Sequence, residues 1–283
     1  MSWTVGQVKI TKIVEMVTVG QSRFILPLAG REEIQQLPWL IPHFATEEGR
    51  LKMSIHALVV ETPTRRIVVD TGLGNDKQNR TVPSWNNRNG NFLDDLAAAG
   101  FPPDSIDIVL CTHLHVDHVG WNTRLEAGQW VPTFANARYM FGEREYAYWR
   151  GHSTAVDKAA IFADSVAPIV AAGLADLVAS DARICEEITL IPTPGHSPGH
   201  VSLHIRSVGE EGLLTGDVAH HPCQMAHLDW CSTADFDPEQ AVQTRHALFS
   251  RFADREVLAI GGHFDAGHIV RDGEAFKFIA SGG

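Results

Sequence analysis

Long apolar runs are missing from the chain. None of its uninterrupted apolar stretches approaches the roughly 18 residues that a membrane-spanning helix needs, so we expect no membrane partner. The first residues also lack the basic and then apolar pattern of a secretory signal peptide. Both absences predict a cytoplasmic protein.

Cysteine and positive charge are also scarce. The four cysteines form no C-x-x-C pair, so they offer neither a structural zinc site nor a disulfide framework. Their scatter suits a reducing compartment. Lys and Arg total 23 against 34 Asp and Glu, a net charge of −11, and this argues against nucleic acid as a partner.

Short β-branched runs between turn residues predict strands, and helical patterns follow later in the chain. The predicted strands are 8–19, 56–60, 66–69, 106–111, 188–191, 201–205, 212–214 and 257–260, and the predicted helices are 91–99, 155–172 and 238–252. The last helix is the clearest, because Asp237 is a good N-cap and Pro238 suits the first turn. This mixture predicts layered α/β or α+β packing.

Three histidines and one aspartate stand within six residues, directly after the predicted strand 106–111. They are His113, His115, Asp117 and His118. Imidazole nitrogen and carboxylate oxygen are ligands for Zn²⁺ and neighbouring metals, whereas packing gains little from adjacent imidazoles. Residues two apart on an extended chain point the same way, so the first two histidines can hold one ion. The other pair can turn to a second ion, which favours a metal site over a histidine-rich surface loop.

Three further polar residues also follow apolar runs. His196 follows 188–191, Asp217 follows 213–215, and His263 follows 257–260. Each one alone is explained as a capping or turn residue. Taken together with the histidine cluster, they indicate one metal site.

The order of these residues resembles the metallo-β-lactamase superfamily. The motif His113-x-His115-x-Asp117-His118 is followed by His196, Asp217 and His263, and residues 68–72 are similar to the strand and turn that precede the metal motif in that family. The resemblance implies an αββα sandwich, which we expect to form a single domain over residues 1–283.

The resemblance also implies a ligand set for two divalent metals. In the family's pattern, one metal takes His113, His115 and His196, the second takes Asp117, His118 and His263, Asp217 bridges them, and Asp70 orients ligands from behind. We expect Zn²⁺, although such ligands also accept Fe, Mn or Co. Related lactonases are often dimers, so a homodimer is possible.

Departures from the pattern narrow the expected activity. Many true β-lactamases have Cys or Ser at the position of Asp217, which argues against an antibiotic-cleaving role. Glyoxalase II enzymes carry an extra helical domain after the last histidine, which argues against that activity. The tRNA-processing nucleases of the family need basic residues that this chain lacks. The lactonases and related aryl-ester and phosphotriester hydrolases remain. Acyl-homoserine lactonases have Tyr three residues after the bridging aspartate, but this chain has His220, which resembles the methyl-parathion-hydrolase and dihydrocoumarin-lactonase branch.

The resemblance therefore implies a metal-dependent hydrolase that acts on a small hydrophobic lactone or ester. A hydroxide shared by two metals would attack the carbonyl carbon or phosphorus, Asp117 would relay a proton, and His220 would stabilise the oxyanion. The alternative for His220 is a loop histidine bonded to backbone. Competing functions are thioester or phosphodiester hydrolysis on the same scaffold and, less favoured, non-catalytic metal or ligand binding.

Substrate selection is expected to lie in aromatic residues around the site. Residues 21–50 show no clean period, and we expect this segment to cap the site. The candidate pocket residues are Phe24, Trp39, Phe44, Trp121 and Trp230. The alternative is that these aromatic side chains fill the core.

Overall fold

The computed structural model describes residues 1–20, 22–152 and 156–281, without the side chain of Ser22. Gln21 of the predicted segment 21–50, Ala155 of the predicted helix 155–172, and residues 153–155 and 282–283 of the predicted domain lie outside the described residues. The chain divides into two compact units, which are described separately. The first unit is Met1–Glu15 with Ile55–Ser180, and the second is Met16–Ser54 with Asp181–Gly283. A single domain over residues 1–283 stays a prediction.

Groups of strands alternate with groups of helices along the chain. The strands are β1 Ser2–Val5, β2 Val8–Val19, β3 Lys52–Glu61, β4 Arg66–Val69, β5 Ile108–Leu110, β6 Thr123–Glu126, β7 Gln129–Pro132, β8 Arg138–Gly142, β9 Ala175–Val178, β10 Ile188–Pro192, β11 Val201–Ser207, β12 Glu210–Leu214, β13 Val257–Ile260, β14 Gly267–Asp272 and β15 Ala275–Ala280. The α-helices are α1 Arg31–Gln35, α2 Phe92–Ala98, α3 Glu143–His152, α4 Val156–Ser165, α5 Ala167–Ala171, α6 Cys223–Ala226 and α7 Pro238–Phe252. Each predicted strand overlaps an observed one.

One sheet carries the strands in the order β1-β2-β3-β4-β5-β8-β9. Within it, β4, β5, β8 and β9 run parallel, with Val69 opposite Leu110. All of β5 is buried, as expected for a parallel strand that is covered on both faces. Val68, Val109, Phe92 and Tyr139 belong to the core of the first unit.

The second sheet contains β10 to β15 in sequence order, and β12 and β13 are its parallel neighbours. Helix α7 begins as predicted, because the Asp237 carboxylate accepts a hydrogen bond from the backbone N–H of Gln240 at 3.0 Å. Phe249 and Phe252 on its buried face belong to the core of the second unit, which also includes Phe278 of β15.

The predicted helix 155–172 is wrong as a continuous element, because the chain breaks it at Val166 into α4 and α5. Pro168 explains the break, since it has no N–H to donate to the carbonyl four residues earlier. That carbonyl, Asp164 O, instead accepts from Lys77 Nζ at 3.0 Å and from the Thr123 hydroxyl.

The parallel strand pairs place the candidate ligands, because the carboxyl ends of parallel neighbours meet at one edge of a sheet. In the first unit, Asp70 follows β4 and the run 111–118 follows β5. In the second, Asp217 follows β12 and His263 follows β13. Among the described residues, no helix is long and apolar enough to cross a membrane.

Candidate metal centre

Asp70 organises the ligand loop of the first unit. Its backbone adopts φ +58°, and its N–H donates to Leu110 O at 3.0 Å. Its carboxylate accepts three hydrogen bonds of 2.8 Å, from the N–H and the hydroxyl of Thr112 and from His118 Nδ1. The last of these bonds fixes the rotation of the His118 ring and makes Nε2 its candidate metal-binding nitrogen.

The imidazoles of the same loop lie close together. The His113 ring centroid is 4.5 Å from that of His115 and 4.1 Å from that of His118, and Asp117 Oδ1 is 3.7 Å from His118 Nε2. His113 Nδ1 lies 3.0 Å from the Thr112 hydroxyl oxygen, whose proton goes to Asp70. The candidate metal-binding nitrogen of His113 is therefore also Nε2.

A carboxylate of helix α3 supports this loop from the protein interior. Glu145 is 1% exposed, and its Oε1 accepts from Leu114 N at 3.1 Å and from Trp149 Nε1 at 2.6 Å. The Trp149 ring meets the edge of the His115 ring, with centroids 5.5 Å apart. Glu145 thus fixes the backbone between His113 and His115.

In the second unit, three imidazoles converge on one carboxylate oxygen. Asp217 Oδ2 lies 3.1 Å from His263 Nε2, 3.3 Å from His220 Nε2 and 3.6 Å from His196 Nε2. His196, Asp217 and His220 offer donor atoms that all lie within 4.8 Å of one another.

This arrangement fits a bound cation. His196 Nδ1 is 2.9 Å from Asp235 Oδ1, and His263 Nδ1 is 3.1 Å from Ser54 O, so both Nδ1 atoms carry protons for these acceptors. Both rings therefore face the Asp217 oxygen with Nε2. Two imidazole nitrogens and a carboxylate oxygen that converge in this way are ligands that Zn²⁺ prefers.

The backbone around Asp217 is held closely. Asp217 N donates to His200 Nε2 at 2.9 Å, and His200 Nδ1 lies 2.8 Å from the Thr193 hydroxyl, so His200 is a buried positioning group. A Cβ at Gly262 would lie 2.2 Å from Asp217 Oδ1. Only glycine leaves room for the carboxylate at that position.

His220 is nearly inaccessible, with 3% of its side chain exposed. Its ring stacks on His263 with centroids 5.5 Å apart, and no described residue hydrogen-bonds its Nδ1. Burial lowers the pKa of His220 to about 3, although Asp217 opposes that shift, so the imidazole is neutral near pH 7. Its backbone N–H donates to Gln224 Oε1 at 2.7 Å.

The candidate pocket aromatics have unequal exposure. Phe24 is 58% exposed and Trp39 is half-buried. Phe44, Trp121 and Trp230 are buried and belong to the two hydrophobic cores, as the alternative interpretation has it.

Segment 21–50 is anchored beside the Asp217 loop within the second unit. His221 Nε2 donates to Phe44 O at 2.8 Å, and Thr233 Oγ1 donates to Phe24 O at 2.8 Å. The position of the segment next to His220 is therefore fixed by hydrogen bonds, while its role as a cap stays a prediction.

Sequence reasoning missed several buried groups that support the candidate ligands. They are Glu145, His200, Gln224, Asp235 and Arg245. His200 stands in the Pro-Gly-rich run with His196, and that proximity is a usable signal. The other four carry no motif.

The family follows from a match of residues 52–263 to the metallo-β-lactamase superfamily model. The chain belongs to the metallo-β-lactamase superfamily. The N-acyl homoserine lactonase AiiA of Bacillus thuringiensis subsp. kurstaki is 24% identical over 226 residues, which cover 75% of this chain and 82% of the relative. An N-acyl homoserine lactonase of Bacillus cereus is 22% identical over 230 residues, covering 77% and 84%.

Solved structures agree on the fold. The hydrolase AbOPH superimposes with a TM-score of 0.80 at 24% identity, covering 100% of this chain and 97% of its own. AidC, a dizinc quorum-quenching lactonase in complex with its product, gives 0.81 at 20% identity with the same coverage. The predicted αββα metallo-β-lactamase fold and the predicted class, a metallo-hydrolase of this superfamily, are confirmed.

Proposed function

We propose that this protein is a two-metal hydrolase that opens lactones or cleaves hydrophobic esters. The observation that carries the proposal is a shared bonding pattern of four imidazoles. Each directs its Nδ1 to an oxygen, which fixes the rotation of the ring and leaves Nε2 as the ligand nitrogen that we propose, and the four are His113, His118, His196 and His263. Buried oxygen partners at Nδ1 are what orient histidine ligands of metals.

The ligand assignment that we propose follows the order of the family motif. His113, His115 and His196 would hold one ion, Asp117, His118 and His263 the other, and Asp217 would bridge them. We propose Zn²⁺, because histidine and carboxylate ligands suit it and the neighbour AidC is named as a dizinc lactonase. When bound, two such ions would lower the pKa of a water and polarise a carbonyl oxygen.

The chain's own polar residues complete the chemistry. Asp117 is half-buried, so its carboxylate can accept a proton during attack and pass it to the leaving alkoxide. His220 is neutral near pH 7 and would donate its N–H to the oxyanion that develops on the carbonyl oxygen. Hydrolysis then needs no serine or cysteine nucleophile.

The substrate class rests on charge and on the relatives. Phe24 and Trp39 supply accessible apolar surface on segment 21–50, and the net charge of −11 disfavours polyanionic substrates. The curated relatives are named N-acyl homoserine lactonases. Because the chain has His220 where the family resemblance implies Tyr for acyl-homoserine lactonases, we propose lactones and aryl esters generally.

A substrate panel tests this proposal. The enzyme should be assayed on γ- and δ-lactones, N-acyl homoserine lactones, aryl esters, phosphotriesters, thioesters and phosphodiesters, with and without a chelator. We expect the fastest turnover on lactones or aryl esters, its loss on chelation and its return with zinc. Activity that survives complete metal removal, or faster thioester or phosphodiester turnover, would contradict the proposal.

A further inference from the structure

A buried ion pair lies behind the second unit's candidate ligands. Asp235 precedes helix α7 and Arg245 lies within it, and both side chains are 0% exposed. Arg245 Nη2 is 3.7 Å from Asp235 Oδ2. A buried pair of this kind is costly to form, so it calls for an explanation in what it contacts.

The Asp235 carboxylate uses both oxygens. Oδ1 accepts from His196 Nδ1 at 2.9 Å, and Oδ2 accepts from the backbone N–H of Ser232 at 2.9 Å. The backbone bond fixes the carboxylate, and the carboxylate then fixes the rotation of the imidazole. The charge also strengthens Nε2 as a ligand, because it stabilises the positive charge that metal binding draws onto the ring.

Arg245 reaches a second ligand through the backbone. Its Nε donates to Val218 O at 2.9 Å and its Nη1 donates to Leu228 O at 2.5 Å. Val218 directly follows Asp217, so this bond fixes the Val218–Ala219 peptide, one residue beyond the candidate ligand. One guanidinium on α7 therefore contacts the loop that carries Asp217 directly, and pairs with the carboxylate that holds His196.

We propose that Asp235 and Arg245 are positioning residues for the candidate ligands His196 and Asp217, an inference that rests on the proposed metal site. Asp235 orients His196 and strengthens its Nε2. Arg245 compensates the buried Asp235 charge and holds the backbone at Val218, next to Asp217. The guanidinium fork suits this role better than an ammonium, since it donates in several fixed directions at once.

Metal affinity of full-length variants tests the proposal. Asp235→Ala should weaken binding of one ion about 10- to 100-fold, and Asp235→Asn, which keeps an acceptor oxygen, should lose less. Arg245→Met should weaken binding similarly, with partial recovery in Arg245→Lys. Asp237→Ala is the matched control, because it removes the α7 N-cap two residues away without contacting a candidate ligand.

A second readout needs neither metal nor activity. In ¹⁵N-histidine-labelled, metal-free protein, His196 should show an Nδ1–H signal that is protected from solvent exchange, assigned by its loss in His196→Gln. The signal should vanish in Asp235→Ala and remain in Asp237→Ala. This signal is independent of turnover. Its presence in the wild type and its loss in Asp235→Ala would therefore support the positioning role even if lactones prove not to be substrates.

Two results would overturn the inference. In the first, Asp235→Ala binds both ions with unchanged affinity and loses as much stability as Asp237→Ala does. The role of the pair would then be purely structural. The other is an Nδ1–H signal that persists in Asp235→Ala.

Discussion

At the scale of single residues, Asp70 concentrates three hydrogen bonds on one carboxylate. Asp70→Ala would leave the buried donors of Thr112 and His118 without their acceptor. It would also place Ala at φ +58°. We expect a loss of about 3 kcal/mol in the free energy of unfolding of metal-free protein. We also expect about 10- to 100-fold weaker metal binding. Denaturant unfolding and metal titration measure these effects.

Asp76 supplies the matched control for that experiment. It also has a positive φ, of +62°, but it is exposed. Asp76→Ala therefore introduces the same backbone strain but removes no hydrogen bond to a candidate ligand. Equal losses of stability and metal affinity in both variants would show that Asp70 does not position the candidate ligands.

The variant His220→Ala tests whether His220 acts in catalysis or in metal binding. His220→Ala should lower kcat about 100-fold by removing one donor to the oxyanion, while metal content stays at two ions. Elemental analysis and lactone kinetics decide between the outcomes. His246→Ala, on the exposed face of α7, should leave both unchanged. If His220→Ala lost an ion, His220 would be a ligand and its assignment here would be wrong.

Spacing along the sequence predicts some of these residues and not others. Residues 113–118 can be recognised from the sequence because four potential metal ligands, three histidines and one aspartate, fall within six positions. Asp235 is separated from His196 by 39 positions and Glu145 from Leu114 by 31, and each stands in an unremarkable stretch. Their role comes from burial beside a ligand, which only the folded chain reveals.

At the scale of elements, the break between α4 and α5 creates a small polar cluster. Asp164 O, released by Pro168, is bonded by Lys77, whose ammonium also lies 3.7 Å from the centre of the Trp130 ring. Lys77 Nζ donates to the Thr123 hydroxyl at 2.6 Å, and Arg80 pairs with the Asp164 carboxylate at 2.9 Å. The cluster joins loop 73–90 to β6 and α4.

Lys77 gives the stability of this region a pH dependence. Burial lowers the pKa of Lys77 to about 7, whereas the unfolded chain keeps it near 10.4. The unfolded state therefore binds more protons between these values. Stability should rise with pH across that window, by at most about 1.4 kcal/mol per pH unit.

Unfolding at pH 7, 8 and 9 checks this dependence. The stability of the wild type relative to Lys77→Met should increase over the series, because the variant has no proton to release. Lys158→Met, at an exposed position of α4, should show no such trend. A constant difference between wild type and Lys77→Met would contradict the assigned pKa.

Segment 21–50 shows the limit of pattern reading at this scale. It contains α1 and short 3₁₀ turns, including Pro38–Leu40, and its anchors are hydrogen bonds to distant backbone and side-chain groups. No hydrophobic period can encode such anchors, so its sequence predicts neither its elements nor its position.

At the scale of the whole molecule, two pairs of parallel strands present the candidate ligands. The pair β4 and β5 carries Asp70 and the histidine cluster, and β12 and β13 carry Asp217 and His263. The order of motifs was enough to predict the family and the fold. That each pair consists of parallel neighbours could not be read from the chain, because pairing depends on contacts between residues far apart in sequence.

The most direct measurement is turnover of a lactone during stepwise zinc addition to metal-free enzyme. Activity should be absent at the start, rise with added zinc and level off at two equivalents. His113→Ala and His263→Ala should each lower the number of bound ions and the plateau. Full activity without metal, or a plateau at two equivalents that both variants leave unchanged, would contradict the two-metal assignment.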